Sequence, residues 1–203
     1  WDAADASPIS AMATGDKYLD SGKLYVAKLN ADGSGQWIEL SLANAAVAAY
    51  AAYKFADQGD VVVNARLAAD AVGATKMDRP EWCSVNPKNG EIYYSLTNNS
   101  NRSVNPSGSS QVAPDSANPR AYTDMKGTTT QSGNPNGHIV RLKEGTGASQ
   151  ATAFTWDVYL FGAEASADAG KVNLSNLTAD QDFSSPDGLA FSPYTGICWI
   201  QTD

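Results

Sequence analysis

Short runs in which apolar and polar residues alternate recur along the chain, each closed by Gly, Asn or Pro: GKLYVAKLN, GQWIELSL, EWCSVNP, EIYYSLTN, GHIVRLKE, ATAFTWDVYLFG, DGLAFSP and GICWIQTD. A period of two sets alternate side chains on opposite faces of a strand, and turn residues end each strand. The pattern predicts an all-β chain. A helical period is confined to residues 43–55 and 60–74, where Val, Leu and Ala fit one apolar helix face, and predicts one short helical insertion. Two polar stretches, NNSNRSVNPSGSSQVAPDSANPR and TDMKGTTTQSGNPNG, have the Ser, Asn, Pro and Gly content of long surface loops.

The strand pattern also repeats. Laying RPEWCSVNPKNGEIYYSLT over SPDGLAFSPYTGICWIQTD matches Pro80 with Pro186, Glu81 with Asp187, Pro87 with Pro193, Gly90 with Gly196 and Tyr93 with Trp199, each offset by 106 residues. GKLYVAKLNADGSGQWIEL and GHIVRLKEGTGASQATAFTWDVYL share a second plan of strand, glycine turn and strand. In order these give two strands, a set of four, then two more, the signature of a β-propeller whose four-stranded blades surround a channel. The boundaries expected are the end of one blade over 1–42, a helical insertion over 43–76, a full blade with a long loop over 77–165, and the start of the next blade over 166–203. A meander or sandwich is the simpler alternative.

Composition narrows the function. With 203 residues, 42% of them hydrophobic, the chain can bury a domain-sized core. Asp and Glu outnumber Lys and Arg by 22 to 14, for a net charge of −8, which disfavours nucleic acid and favours cations. No run of about eighteen apolar residues predicts a membrane span, and the opening WDAADASPIS does not have the pattern of a signal peptide. Two cysteines, Cys83 and Cys198, do not make a disulfide framework.

The arrangement of Arg79, Glu81 and Cys83 at alternate positions before a hairpin is the candidate chemistry. In a blade the first strand borders the channel, and residues two apart on a regular strand share a face. The repeat puts Asp187 where Glu81 stands, so two acids from neighbouring blades are expected to converge. Facing carboxylates repel until a cation lies between them. The competing readings are a core role for Cys83, which matches Leu189 in the repeat, turn caps for the two acids, and a structural ion pair for Arg79 or Arg141. His138, the sole histidine, is read as a structural hydrogen-bonding group, Cys198 as core, and Asn98 and Asn99 as a strand end whose amide oxygens could reach calcium.

The blocks GATKMDRPEWCSVNPKNGEIYYSLTNN, GNPNGHIVRL, FTWDVYLFGAE and FSSPDGLAFSPYTGICWIQTD resemble those of PhoX-type alkaline phosphatases, secreted bacterial phosphomonoesterases built on a six-bladed propeller with ferric iron and calcium. The resemblance implies metal ligation by Cys83, Glu81 and Asp187, with Asp78 and Asp203 as further ligands. It implies that Arg79 and Arg141 hold the phosphate, and that the substrate is a phosphomonoester. It also implies a periplasmic or secreted location. A thiolate suits iron and carboxylates suit both cations.

About two blades' worth of strands leads us to expect a fragment with an incomplete metal cluster and little turnover alone. Its open blade edges are expected to pair with a copy or a complementary piece. A calcium-dependent lactonase-like propeller and a non-catalytic propeller segment are the alternatives.

Overall fold

The computed structural model describes residues 15–18, 20–145 and 150–203. The strands are β1 (Tyr25–Leu29), β2 (Ser34–Glu39), β3 (Pro80–Val85), β4 (Ile92–Leu96), β5 (Tyr122–Lys126), β6 (Thr129–Gly133), β7 (His138–Glu144), β8 (Ala153–Phe161), β9 (Pro186–Phe191) and β10 (Cys198–Thr202). Helices α1 (Ala45–Ala48), α2 (Gln58–Val63) and α3 (Ala65–Ala71) lie between β2 and β3. Among the described residues no helix is long and apolar enough to cross a membrane. The chain divides into two compact units, Trp1–Val26 with Ile38–Ala74, and Ala27–Trp37 with Thr75–Asp203.

The first unit is built on Leu40, Val47, Phe55, Val61 and Ala68. Its helices are shorter than the sequence period suggests, for local reasons. Asn44 and Asp57 cap α1 and α2 by accepting from the amides of Ala46 and Asp60. Asn64 then splits the expected second helix: its amide donates to the Asp60 carboxylate at 2.7 Å, and α3 restarts at Ala65.

The second unit carries the antiparallel sheet, with strand order β1-β2-β8-β7-β4-β3. β4 and β7 are central and apolar on both faces. Leu96, Val140 and Leu142 enter a core with Leu29, Ala117 and Phe154, while Tyr93 and Ile139 pack with Leu189 on the other side. Within it β3, β4, β7 and β8 run as an antiparallel meander. β1 and β2, expected to close a separate blade, instead extend this sheet through β8, with Ser34, Gly35 and Gln36 opposite Thr155, Phe154 and Ala153. Gly35 permits this pairing, because a Cβ there would lie 2.0 Å from the Phe154 ring. Trp37 Nε1 donates to Glu144 Oε1 at 2.7 Å, and Trp156 Nε1 to the Asn30 carbonyl at 2.9 Å.

The sequence repeat is a structural repeat. Pro80 faces Leu96, Cys83 faces Tyr94 and Ser84 faces Tyr93 in β3–β4; Pro186 faces Thr202, Leu189 faces Ile200 and Ala190 faces Trp199 in β9–β10. Both hairpins turn through a left-handed glycine, Gly90 at φ 72° and Gly196 at φ 74°. Both carry a register irregularity at the same place, just after the proline.

Candidate active site

The strands β3 and β9 open on matched distortions. Arg79 and Ser185, which occupy equivalent repeat positions before Pro80 and Pro186, have φ of 51° and 50°. A non-glycine residue in this region costs on the order of 1–2 kcal/mol, and such outliers concentrate at functional sites. Two residues further on in each strand, in the bulges, stand the acids Glu81 and Asp187. The two strand heads are tied through Ser95 on β4. Its hydroxyl accepts from the Trp82 amide at 2.9 Å and donates to the Asp187 carbonyl at 2.5 Å.

Around these heads lies a polar cluster. Arg79 donates to Asn98 Oδ1 at 2.7 Å and lies 3.5 Å from Glu81 Oε1, with its side chain 57% exposed. Asn98 Nδ2 reaches Ser185 Oγ at 3.4 Å. Lys126, at the end of β5, donates a short hydrogen bond to the same Ser185 oxygen. Ser185 is buried and fixed by its own backbone, donating to the Asn136 carbonyl and accepting from the Asp203 amide at 3.1 Å. Asn136 in turn holds the ribbon β5–β6, donating to Tyr122 Oη at 3.0 Å and Asp124 Oδ2 at 2.7 Å. Partial burial lowers the pKa of Lys126, against the opposing pull of the Asp203 and Asp124 carboxylates.

The structure separates several residues that the sequence pattern puts together. Between Pro80 and Cys83 the register slips, so three residues of β3 span two of β4. Such a bulge re-aims side chains. Cys83 therefore does not share a face with Asp187. It faces Tyr94, on the side of the core formed by Leu96 and Val140, while β9 packs on the Tyr93 side. Burial and a hydrogen bond to the thiol raise the pKa of Tyr94, and partial burial raises that of the Cys83 thiol, the opposite of an activated thiolate.

Asp78 is likewise no free ligand. It is fully buried, and its oxygens accept from Arg102 Nε at 2.6 Å, Asn99 at 2.7 Å and Asn134 at 3.1 Å. Arg141 stands opposite Tyr93, four residues along β4 from the Thr97 amide that binds the Arg79 carbonyl, which at strand rise is about 13 Å away. There it is engaged by Asp157 at 2.5 and 3.0 Å and by Glu91 at 3.9 Å, and these ion pairs and hydrogen bonds raise its pKa. Glu81, Asp187 and Asp203 remain near the strand heads.

Among the described residues no group of three or more His, Cys, Asp and Glu side chains is placed to hold a metal ion. With Cys83 on the other face and Asp78 consumed by Arg102, the five-residue ligand set implied by the resemblance does not fit as a unit.

Sequence reading missed Lys126 and Ser185. Lys126 sits in a stretch whose composition signals only a loop, and the ribbon that delivers it is fixed by contacts far away in sequence. Ser185 had a usable signal, its repeat equivalence to Arg79. His138 is buried, with Nε2 2.8 Å from the Ala117 carbonyl, and Cys198 packs beside Tyr93 and Ile139, both as expected.

A family model described as alkaline phosphatase PhoX matches residues 6–203. Comparison with curated proteins gives no significant match. Among solved structures, Pseudomonas fluorescens PhoX in complex with vanadate, a transition state analogue, is similar, with a TM-score of 0.73 and 37% sequence identity. The likeness covers 93% of this chain and 31% of that one, so the chain spans about a third of the length of the relative. The propeller-like strand plan, the repeat and the match across nearly all of the sequence together place this chain in the PhoX alkaline phosphatase family.

Proposed function

We propose that this chain carries part of the phosphate site of a PhoX-type phosphomonoesterase, with Arg79 holding the phosphoryl group. The observation that carries this reading is the state of Arg79. It is held at a strained backbone position at the head of β3, oriented by Asn98, and still largely open to solvent. Guanidinium forks match the oxygens of a phosphoryl group in two-point contacts, and donors fixed in advance need no reorganisation as charge moves toward the leaving alcohol. Arg141, tied into ion pairs with Asp157 and Glu91, supports the sheet instead.

Glu81, Asp187 and Asp203 offer hard oxygens suited to calcium or ferric iron, as the resemblance implies, with further donors from outside this span. The described donors alone do not complete such a site. A periplasmic or secreted location belongs to the same reading.

The test is hydrolysis of p-nitrophenyl phosphate by the full-length protein supplied with iron and calcium, with vanadate as inhibitor. Expected are turnover blocked by vanadate, abolished by chelation, and reduced by Arg79→Lys. A wild-type protein that binds both metals yet hydrolyses no phosphomonoester would overturn the assignment.

A further inference from the structure

We propose that Lys126, delivered by the β5–β6 ribbon, is a second cationic contact to the substrate phosphoryl group and selects dianionic monoesters over monoanionic diesters. The inference rests on the phosphatase reading and adds a residue that neither the sequence motifs nor the family resemblance pointed to.

Three observations converge on it. Arg79, Asn98, Ser185 and Lys126 form one continuous hydrogen-bonded arc, so the two cations border the same place although 47 residues of sequence separate them. Within the arc the cations are joined by a neutral amide and a neutral hydroxyl, and among the described residues Lys126 makes no direct ion pair. A partly buried ammonium held on a neutral hydroxyl, with no carboxylate in direct contact, keeps its charge available to an anion that binds beside it.

The ribbon is also built to hold its lysine in place. Asn136 clamps Tyr122 and Asp124 at one strand, and Asn99 and Asn134 form a reciprocal backbone pair at 2.9 and 3.0 Å just beyond the end of the other. Gly133, at φ 100°, lets the ribbon lie directly on the backbone at Asn99, where a Cβ would approach the carbonyl oxygen to 2.1 Å.

The chemistry follows from charge. A phosphate monoester carries two negative charges near neutral pH and a diester one, so a second cation in the site gains more from the monoester. Arg79 supplies a planar fork. Lys126 supplies a point charge that can follow either terminal oxygen.

The experiment measures calorimetric binding of inorganic phosphate and of dimethyl phosphate at pH 8, with phosphatase kinetics, in the full-length protein and its variants. Lys126→Met should weaken inorganic phosphate at least about tenfold and dimethyl phosphate less than about threefold, and raise KM more than it lowers kcat. Lys126→Arg should recover most of the phosphate affinity, and Lys143→Met, an exposed charge on β7, should change neither ligand. Phosphate binding by Lys126→Met equal to wild type overturns the inference. So does equal weakening of both ligands, or a failure of Lys126→Arg to recover affinity while the variant melts like wild type. A wild-type protein that hydrolyses phosphomonoesters while Lys126→Met does so unchanged defeats only this inference. A wild type that neither binds phosphate nor hydrolyses esters defeats the phosphatase reading beneath it.

Discussion

Asp78 and Arg102 form a buried ion pair, with Nε 2.6 Å from Oδ1 and side chains 0% and 2% exposed. Arg102 uses its remaining donors on the Lys76 and Ala113 carbonyls and on Asp115, while Asn99 and Asn134 complete the Asp78 shell. The pair therefore fixes the long polar segment after β4 against the segment that leads into β3.

Removing Asp78 leaves the buried Arg102 guanidinium with the part-exposed Asp115 as its one remaining carboxylate partner, which costs about 3 kcal/mol, the low end for breaking a buried pair. Asp78→Ala should lower unfolding free energy by about that amount, measured by urea titration, with Asp78→Asn between it and wild type. An Asp78→Ala protein as stable as wild type would show that the pair is dispensable and would reopen Asp78 as a ligand.

His138 predicts a specific acid sensitivity. It is buried with Asn134 Nδ2 3.1 Å from Nδ1 and the Ala117 carbonyl against Nε2, an arrangement suited to the neutral ring. Burial, together with the nearby Arg120 and Arg102 charges, depresses its pKa to about 4, although Asp78 and the Ala117 carbonyl pull the other way. The unfolded ring takes up its proton near pH 6.5, so the contribution of His138 is full above that pH and is lost as pH falls toward 4. Because His138 is the sole histidine, stability between pH 6.5 and 5 should decline in wild type and much less in His138→Gln. Denaturant titrations at three pH values in this window will show it, and equal slopes for the two proteins would refute it.

Strain at Arg79 separates function from stability. At φ 51° a glycine is comfortable and an alanine is not, so Arg79→Gly should be more stable than Arg79→Ala by about 1 kcal/mol. Both should lose phosphatase kcat/KM by about 100-fold or more, as expected when a fixed donor to the transition state is removed. Thermal melts beside kinetics provide the comparison.

Cys83 and Arg141 are expected to be peripheral to catalysis. Cys83→Ser should keep iron content and kcat/KM within about threefold, because the bulge turns the thiol toward Tyr94. Arg141→Ala should reduce stability by about 1 kcal/mol while sparing turnover, since its Asp157 partner is half exposed. Loss of iron in Cys83→Ser, read by metal analysis, would restore the thiol as a ligand.

Gly137 is the tightest glycine beside β7. With φ 64° and a would-be Cβ 2.1 Å from the Thr97 carbonyl oxygen, Gly137→Ala should cost about 2–4 kcal/mol through backbone clash and left-handed strain together. Gly108→Ala, with φ 73° and open space around it, should cost only the strain. Denaturation midpoints of the two variants compare them directly.

By itself the sequence determined eight of the ten strands, all but β5 and β6 in a stretch that reads as loop, together with the hairpin turns at Gly90 and Gly196 and the repeat that pairs Pro80 with Pro186 and Glu81 with Asp187. These follow from period-two alternation and turn chemistry, which are local and so visible in a linear string. Tertiary structure alone decided which side chains meet. One extra residue in β3 reverses the parity on which the shared face of Glu81 and Cys83 depended, and that slip shows only once β3 is paired with β4. The attachment of β1 and β2 to β8, the burial of Arg102 within a polar stretch, and the arrival of Lys126 beside Ser185 share that cause. Each is a contact between distant segments, fixed by satisfying buried charge and backbone hydrogen bonds once the sheet has formed.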